Sequence, residues 1–262
     1  MTRTYFPIGL LVVAVAAVSL AWWRFAGKRS SPAAVSLLDT AETTISRGDS
    51  LFLGSGALAR RTVVLPDSTQ VILNPGTQVG LVSKSYTAHR EVRLDGDAFF
   101  GVRGLHPLTV RTKNLVLTGR ADFRVSAFAK DEGESVEVLS GTLRAEKAYT
   151  SPDHETDTLG GGDMVMINRS IDLMEKETYD TTELLTWKEG TLVFNNTPLD
   201  SVIHRVQDWF GVTIEVRGET GKTYRITGTF RDARLDDVMH VLAQVVPCGY
   251  SIRRYTVEID LL

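Results

Sequence analysis

Hydrophobic and polar positions follow three different spacings along this chain. From Thr4 to Trp23 no residue is charged, and Ile8 to Ala21 is nearly all Leu, Val and Ala. Twenty such residues in a helix span about 30 Å, the thickness of a bilayer's hydrocarbon core. Tyr5 and Phe6 flank one end of the run; Trp22, Trp23 and Phe25 flank the other, with Arg24, Lys28 and Arg29 close behind. Aromatic rings settle at headgroup level with basic residues beyond them. The pattern predicts a single membrane-spanning helix within residues 1–29, followed by a tether over 30–48. The alternative is a cleaved signal peptide with Ser19-Leu20-Ala21 as its small-residue site, which leaves a mature end starting Trp-Trp. Three basic residues behind the run, against Arg3 and the amino terminus ahead of it, slightly favour the reverse orientation. The short leading segment and the character of the remainder nonetheless place the bulk of the chain outside the cytoplasm.

From about residue 49 to 175 the spacing is two. Short β-branched runs such as Arg61 to Leu65, Gln70 to Leu73, Glu91 to Leu94 and Leu108 to Arg111 alternate with polar residues and Gly, Asn, Asp or Pro. Leu115 to Leu117, Phe123 to Val125 and Ser135 to Leu139 continue the series. Many short strands without a helical period predict an all-β domain, either a sandwich or a solenoid-like stack. Asp95-Gly96-Asp97 reads as a tight turn, and Asp172 to Thr186 as a polar connector.

Past residue 187 the spacing becomes helical. Leu199, Val202, Ile203, Val206, Trp209 and Phe210 form one apolar face, and Leu235, Val238, Met239, Leu242, Val245 and Val246 form another. The second set is the first shifted by 36 residues, and the same shift carries Phe194 onto Phe230, Asp200 onto Asp236 and His204 onto His240. Such self-similarity is an internal duplication: a β-α-β unit used twice, then a last strand, on one small sheet. Thr197-Pro198-Leu199-Asp200 supplies a cap, a first-turn proline and an acid for the first helix. The predicted α+β domain spans 187–262.

Composition narrows the function classes. The chain has 262 residues and a formal charge of -3, which gives no general attraction to nucleic acid. Its single cysteine, Cys248, excludes an intrachain disulfide and a cysteine-built zinc site. None of the five histidines sits at ligand spacing from another, and His204 and His240 are equivalent helix positions explained by the duplication. Gly54-Ser55-Gly56 lacks the strand-to-helix context of a hydrolase nucleophile. Arg60-Arg61 and Arg253-Arg254 read as solvated strand ends, and Trp187, Trp209 and Phe210 as core or interface. No acid–base pair, metal or cofactor site assembles, so the chain is expected not to be an enzyme.

The stretch from Leu65 to Asn74, Leu-Pro-Asp-Ser-Thr-Gln-Val-Ile-Leu-Asn, resembles the Leu-Pro-Asp-Gly-Ser-x-Val-x-Leu-Asn signature of FecR-type proteins. Arg90 to Val102, Pro107 to Thr112 and Val136 to Leu143 resemble the later motifs of that family. Trp187 to Asp200 is similar to the opening of the domain that ends many of its members, itself related to the short N-terminal modules of secretins and TonB-dependent receptors. The resemblance implies a membrane-anchored regulator of an extracytoplasmic-function sigma factor, located in the inner membrane of a Gram-negative bacterium with its bulk in the periplasm. It implies the periplasmic signalling module of a TonB-dependent outer-membrane transporter as partner; the open edges of a small sheet then predict docking on residues 187–262, at least partly by strand addition. Val193, Phe194 and Val257 are the candidate contact residues. The family's cytoplasmic anti-sigma domain normally precedes the membrane helix; only about seven residues do so here, so that part is expected to be separate or lost. Some relatives cleave themselves at a Gly-Thr bond through the hydroxyl, and Gly119-Arg120 lacks that hydroxyl. A periplasmic docking or assembly module without sigma-factor control is the alternative.

Overall fold

Alternating apolar residues between 50 and 178 bury their inward faces by pairing into one twelve-stranded sheet. The structure is a computed structural model that describes residues 44–47, 50–55, 58–82, 86–153, 155–218 and 223–262. The expected membrane helix and the tether as far as residue 43 lie outside the described residues, among which no helix is long and apolar enough to cross a membrane. The strands begin with β1 (Thr44–Arg47), β2 (Ser50–Gly54), β3 (Arg61–Val64), β4 (Gln70–Leu73), β5 (Gln78–Val82) and β6 (Glu91–Gly101). They continue with β7 (Leu108–Arg111), β8 (Leu115–Ala127), β9 (Gly133–Lys147), β10 (Thr156–Leu159), β11 (Asp163–Asn168) and β12 (Leu173–Thr178). Their order is β1-β2-β5-β6-β7-β8-β9-β11-β12, with β4 also on β6, β3 on β4 and β10 on β9. One hydrophobic cluster runs from Leu53 on β2 to Met174 on β12, and Phe100 and Phe123 stack inside it at 5.3 Å.

Three strands are longer than their apolar runs suggest. Asp95-Gly96-Asp97 is not a turn; it lies inside β6 at the point where that strand changes partners. Before it, β6 pairs with β5; after it, β6 pairs with β4, while the opposite edge passes from β7 to β8. Gly96 sits at φ 126°, and a Cβ there would fall 2.7 Å from the Thr77 Cα. Thr77 fixes the crossing, since its Oγ1 donates to the Asp97 carbonyl at 3.0 Å and accepts from the Asp97 amide at 2.9 Å. The runs at 115–117 and 123–125 likewise merge into β8, which pairs with β9 over nearly its whole length.

The β3–β4 turn shows what the family signature does physically. Asp67 accepts from the Thr69 amide and hydroxyl, both at 2.9 Å, and forms an ion pair with buried Arg90. Ser68 occupies the family's glycine position at φ 68°, a left-handed conformation that costs a side-chain-bearing residue about 1 kcal/mol. Ser68→Gly is therefore expected to raise the unfolding free energy by up to about 1 kcal/mol in chemical denaturation. An unchanged or lowered value would show that the Ser68 side chain compensates for its strain.

Glu134 provides a pH-dependent element. It is 4% exposed, and burial raises its carboxyl above the ordinary range even though Thr112 and the Asn114 amide bond to it. A carboxyl raised on folding holds its proton more tightly in the native state, so this residue adds stability as pH falls from its folded pKa toward its unfolded one. Between those two values Glu134→Gln should flatten the curve of unfolding free energy against pH. An identical slope in both proteins would refute the assignment.

The stretch expected to be a polar connector is structured. Residues 173–178 form the edge strand β12, and Asp180 caps α1 (Thr181–Lys188) by accepting from the Thr182 amide at 2.9 Å. Leu184 and Trp187 of α1 are buried with Phe99 of β6. The rest follows the duplication: β13 (Thr191–Pro198), α2 (Leu199–Phe210), β14 (Thr213–Arg217), then β15 (Arg225–Arg231), α3 (Leu235–Val245), β16 (Cys248–Arg253) and last β17 (Thr256–Leu261). Instead of one small sheet there are two. The first strands of both units pair as β13-β15, and the second strands flank the last one as β14-β17-β16. Val193 faces Thr229, its own equivalent 36 residues on, and Glu215 and Ser251 flank Glu258 in the same way. A local two-fold axis thus passes through both sheets. Pro198 stands at the N-cap rather than inside α2, with no side-chain cap; Thr197 is held in β13, where its Oγ1 accepts from the Asn195 amide.

Candidate functional site

The described residues screened for catalysis fall in separate hydrogen-bonded settings. Ser55 is buried, with its hydroxyl on the Asn74 carbonyl and the Thr77 amide on that same oxygen. Asp95 is exposed and accepts from the Ala129 amide, whereas Asp97 is buried, so they do not form a working pair. His204 and His240 are exposed and contact Gln207 and Gln244 on their own helices. Among the described residues no group of three or more His, Cys, Asp or Glu is arranged to hold a metal ion.

The three expected contact residues fall in different environments. Phe194 is 1% exposed and meets Phe230 edge-on at 6.0 Å, inside the core of the C-terminal domain. Val257 is fully buried on β17, whose backbone is paired on both sides, to Ile214 and to Ile252. Both belong to the core because alternate strand positions point inward and the duplication needs them there. Val193 is half-buried on β13, and β13 and β15 each have one paired neighbour among the described strands. An edge of that kind leaves backbone donors and acceptors open to another chain. Val193 is therefore the one of the three whose side chain stands at a surface.

The junction between the domains holds the densest polar chemistry. The Leu58 amide donates to the Phe210 carbonyl at 3.1 Å, and Pro75 packs on Gly211 so closely that a Cβ there would lie 2.7 Å from its ring. Arg60 is no solvated strand end. Its guanidinium lies 3.9 Å from the Trp187 ring centre and 4.9 Å from that of Trp209, and donates to the Trp187 carbonyl at 2.7 Å. Burial lowers its pKa to about 10, against the pull of Asp97. Arg124 lies 4.7 Å from the same Trp187 ring and binds Asp97 through Nε and Nη2, each at 2.8 Å. Its Nη1 reaches Glu137 at 3.3 Å. Burial works against the Arg124 charge, but the Asp97 pair outweighs it and raises the pKa. Asn74 donates to Asp97 at 2.9 Å and to the Asp208 carbonyl at 3.3 Å, tying the β domain to α2. Trp187 and Trp209 were legible as core or interface residues without a choice between the two, and nothing near Arg60 in the sequence signals that a guanidinium fills the space between them.

Comparison with known proteins follows the same division. Two crystal structures of a candidate anti-sigma factor from Parabacteroides distasonis, at 2.50 Å and 1.65 Å, share this fold with a TM-score of 0.61. They are 24% identical in sequence, and the match covers 81% and 80% of this chain and 99% of theirs. No curated protein matches the chain in sequence. Residues 53–144, within the twelve-stranded sheet, match the family model described as FecR protein. Residues 191–259, the duplicated domain, match the one described as FecR, C-terminal. With both of its characteristic domains present in order and spanning more than half of its length, the chain belongs to the FecR family.

Proposed function

We propose that this protein is a membrane-anchored FecR-type regulator of an extracytoplasmic-function sigma factor system. Ile8 to Trp23 anchors it in the inner membrane, with the two domains in the periplasm. The C-terminal domain docks the periplasmic signalling module of a TonB-dependent outer-membrane transporter, and the β domain passes that state toward the membrane. The observation that carries the reading is the succession of the FecR and FecR C-terminal domains in one chain. A two-stranded sheet with open edges gives the second domain a means of strand addition.

The test is genetic and direct. A strain lacking this chain should lose the transporter-dependent change in transcription from promoters of the partner sigma factor. Complementation with the full chain should restore it, and complementation with a chain whose residues 8–23 are replaced by a cleavable signal sequence should not. Unaltered induction in the deleted strain would leave a docking module without sigma-factor control.

A further inference from the structure

The C-terminal domain is wider at its helices than at one of its sheets. Packed helices lie about 8–10 Å apart and neighbouring strands about 4.8 Å. The three strands β14-β17-β16 therefore span both helices, whereas β13 and β15 alone leave the outer side of each helix overhanging. On the α2 side the overhang is covered: Trp209 packs with Leu184 and Trp187 of α1, and Arg60 stacks against it. The 36-residue shift carries Arg205 and Trp209 onto Val241 and Val245 of α3, which are 39% and 48% exposed. Arg205 lies 5.2 Å from the ring centre of Phe194 on β13, so Val241 stands at the corresponding place beside Phe230 on β15.

The outer edge of β15 has no paired neighbour among the described strands. The Asp232 amide donates to the Gly190 carbonyl at 3.0 Å. Bonding alternates along an antiparallel pair, so the backbone groups of Thr227, Thr229 and Arg231 point away from β13. The register shift of the pair falls in β13, between Phe194 and Thr197, and β15 itself runs unbroken from Arg225 to Arg231. On the inner face Gly228 stands where β13 carries the buried Leu192, which leaves room beside α3. Arg225 and Arg231 mark the two ends of the edge, and neither pairs with a carboxylate among the described residues.

Sterics limit what can lie there. Each helix axis is about 4–5 Å from the local two-fold axis, and the midline of two paired β15 strands would be about 4.8 Å from it. A second copy joined through this edge would therefore place its α3 on top of the first. A bare extended segment meets no such obstacle. We infer that β15 receives an extended peptide as a third strand, with alternate apolar residues on Val241 and Val245 and acidic residues opposite Arg225 and Arg231. Main-chain hydrogen bonds hold such a strand, and its alternate side chains select it. The edge is the one opposite to β13, which carries the contact proposed for the transporter module, so the two docking events are separate.

The probe is the capped, fluorophore-labelled heptapeptide Glu-Val-Thr-Val-Thr-Val-Glu, which matches the alternation of β15. Its anisotropy is followed on titration with the purified full chain in detergent. Saturable binding is expected below about 1 mM, and the peptide with lysine at both ends should bind about tenfold more weakly. Thr229→Pro removes an amide that β13 does not use and should weaken binding about tenfold. Val245→Lys changes an exposed helix position, keeps the fold, and should weaken it to a similar extent by placing a charge under the added strand. That second variant decides the matter if Thr229→Pro fails to fold. No saturable binding, equal binding of the lysine peptide, or full binding by Val245→Lys would overturn the assignment, and none of these outcomes bears on the β13 contact.

Discussion

Replacing Asp97 with alanine should lower the unfolding free energy by about 3–5 kcal/mol, the range for removing one partner of a buried ion pair. Asp97 has a side-chain exposure of 3% and takes two hydrogen bonds from Arg124 and one from Asn74. Without it the Arg124 guanidinium keeps only Glu137 and the Trp187 face. Asn74 also loses the anchor that orients it toward the Asp208 carbonyl. The penalty thus arises in the β domain and spreads into the junction. Adding Arg124→Met to Asp97→Ala should recover a large part of the loss, because the stranded charge is then gone. Denaturant unfolding of the two variants measures this. A cost below about 1 kcal/mol for the single variant would mean that solvent reaches Arg124 and screens it.

Phe194→Ala should be about as severe, at about 3–5 kcal/mol, as expected for an aromatic side chain deleted from a packed core. Phe194 touches Phe230 across the local two-fold axis, and Arg205 lies 5.2 Å from its ring centre. The neighbouring Val193→Glu makes the opposite prediction. Its half-buried surface position should cost no more than about 1 kcal/mol, yet it places a charge on the edge strand proposed for docking. Thermal melts of the two variants side by side separate the roles. If Val193→Glu destabilises as much as Phe194→Ala, then Val193 is a core residue too and the docking proposal loses its contact.

Much of this fold was legible because burial repeats at a fixed interval. The 36-residue shift located both helices and both outer strand pairs of the C-terminal domain, since equivalent apolar residues must fill equivalent places in one core. What it did not reveal is that the two units interlock about an axis and divide their strands between two sheets. That depends on which strands pair, and pairing leaves no period in the sequence. Asp95-Gly96-Asp97 misled for a related reason. A glycine at positive φ serves a turn and a partner-switching strand equally well, and only Thr77, nineteen residues away, distinguishes them. Arg60 was illegible altogether. Its role is set by two indoles more than a hundred residues distant, and an arginine before a strand ordinarily points to water.

The central claim is that the C-terminal domain is the docking element and that β13 presents its contact. The most direct measurement is binding of the full chain to the isolated periplasmic signalling module of the proposed partner transporter, by calorimetry, with wild type and Val193→Glu compared at equal fold stability. The account predicts saturable one-to-one binding by the wild type and at least a tenfold loss in Val193→Glu, about 1.4 kcal/mol or more. Equal affinity in both proteins, or no binding by the wild type, would contradict it.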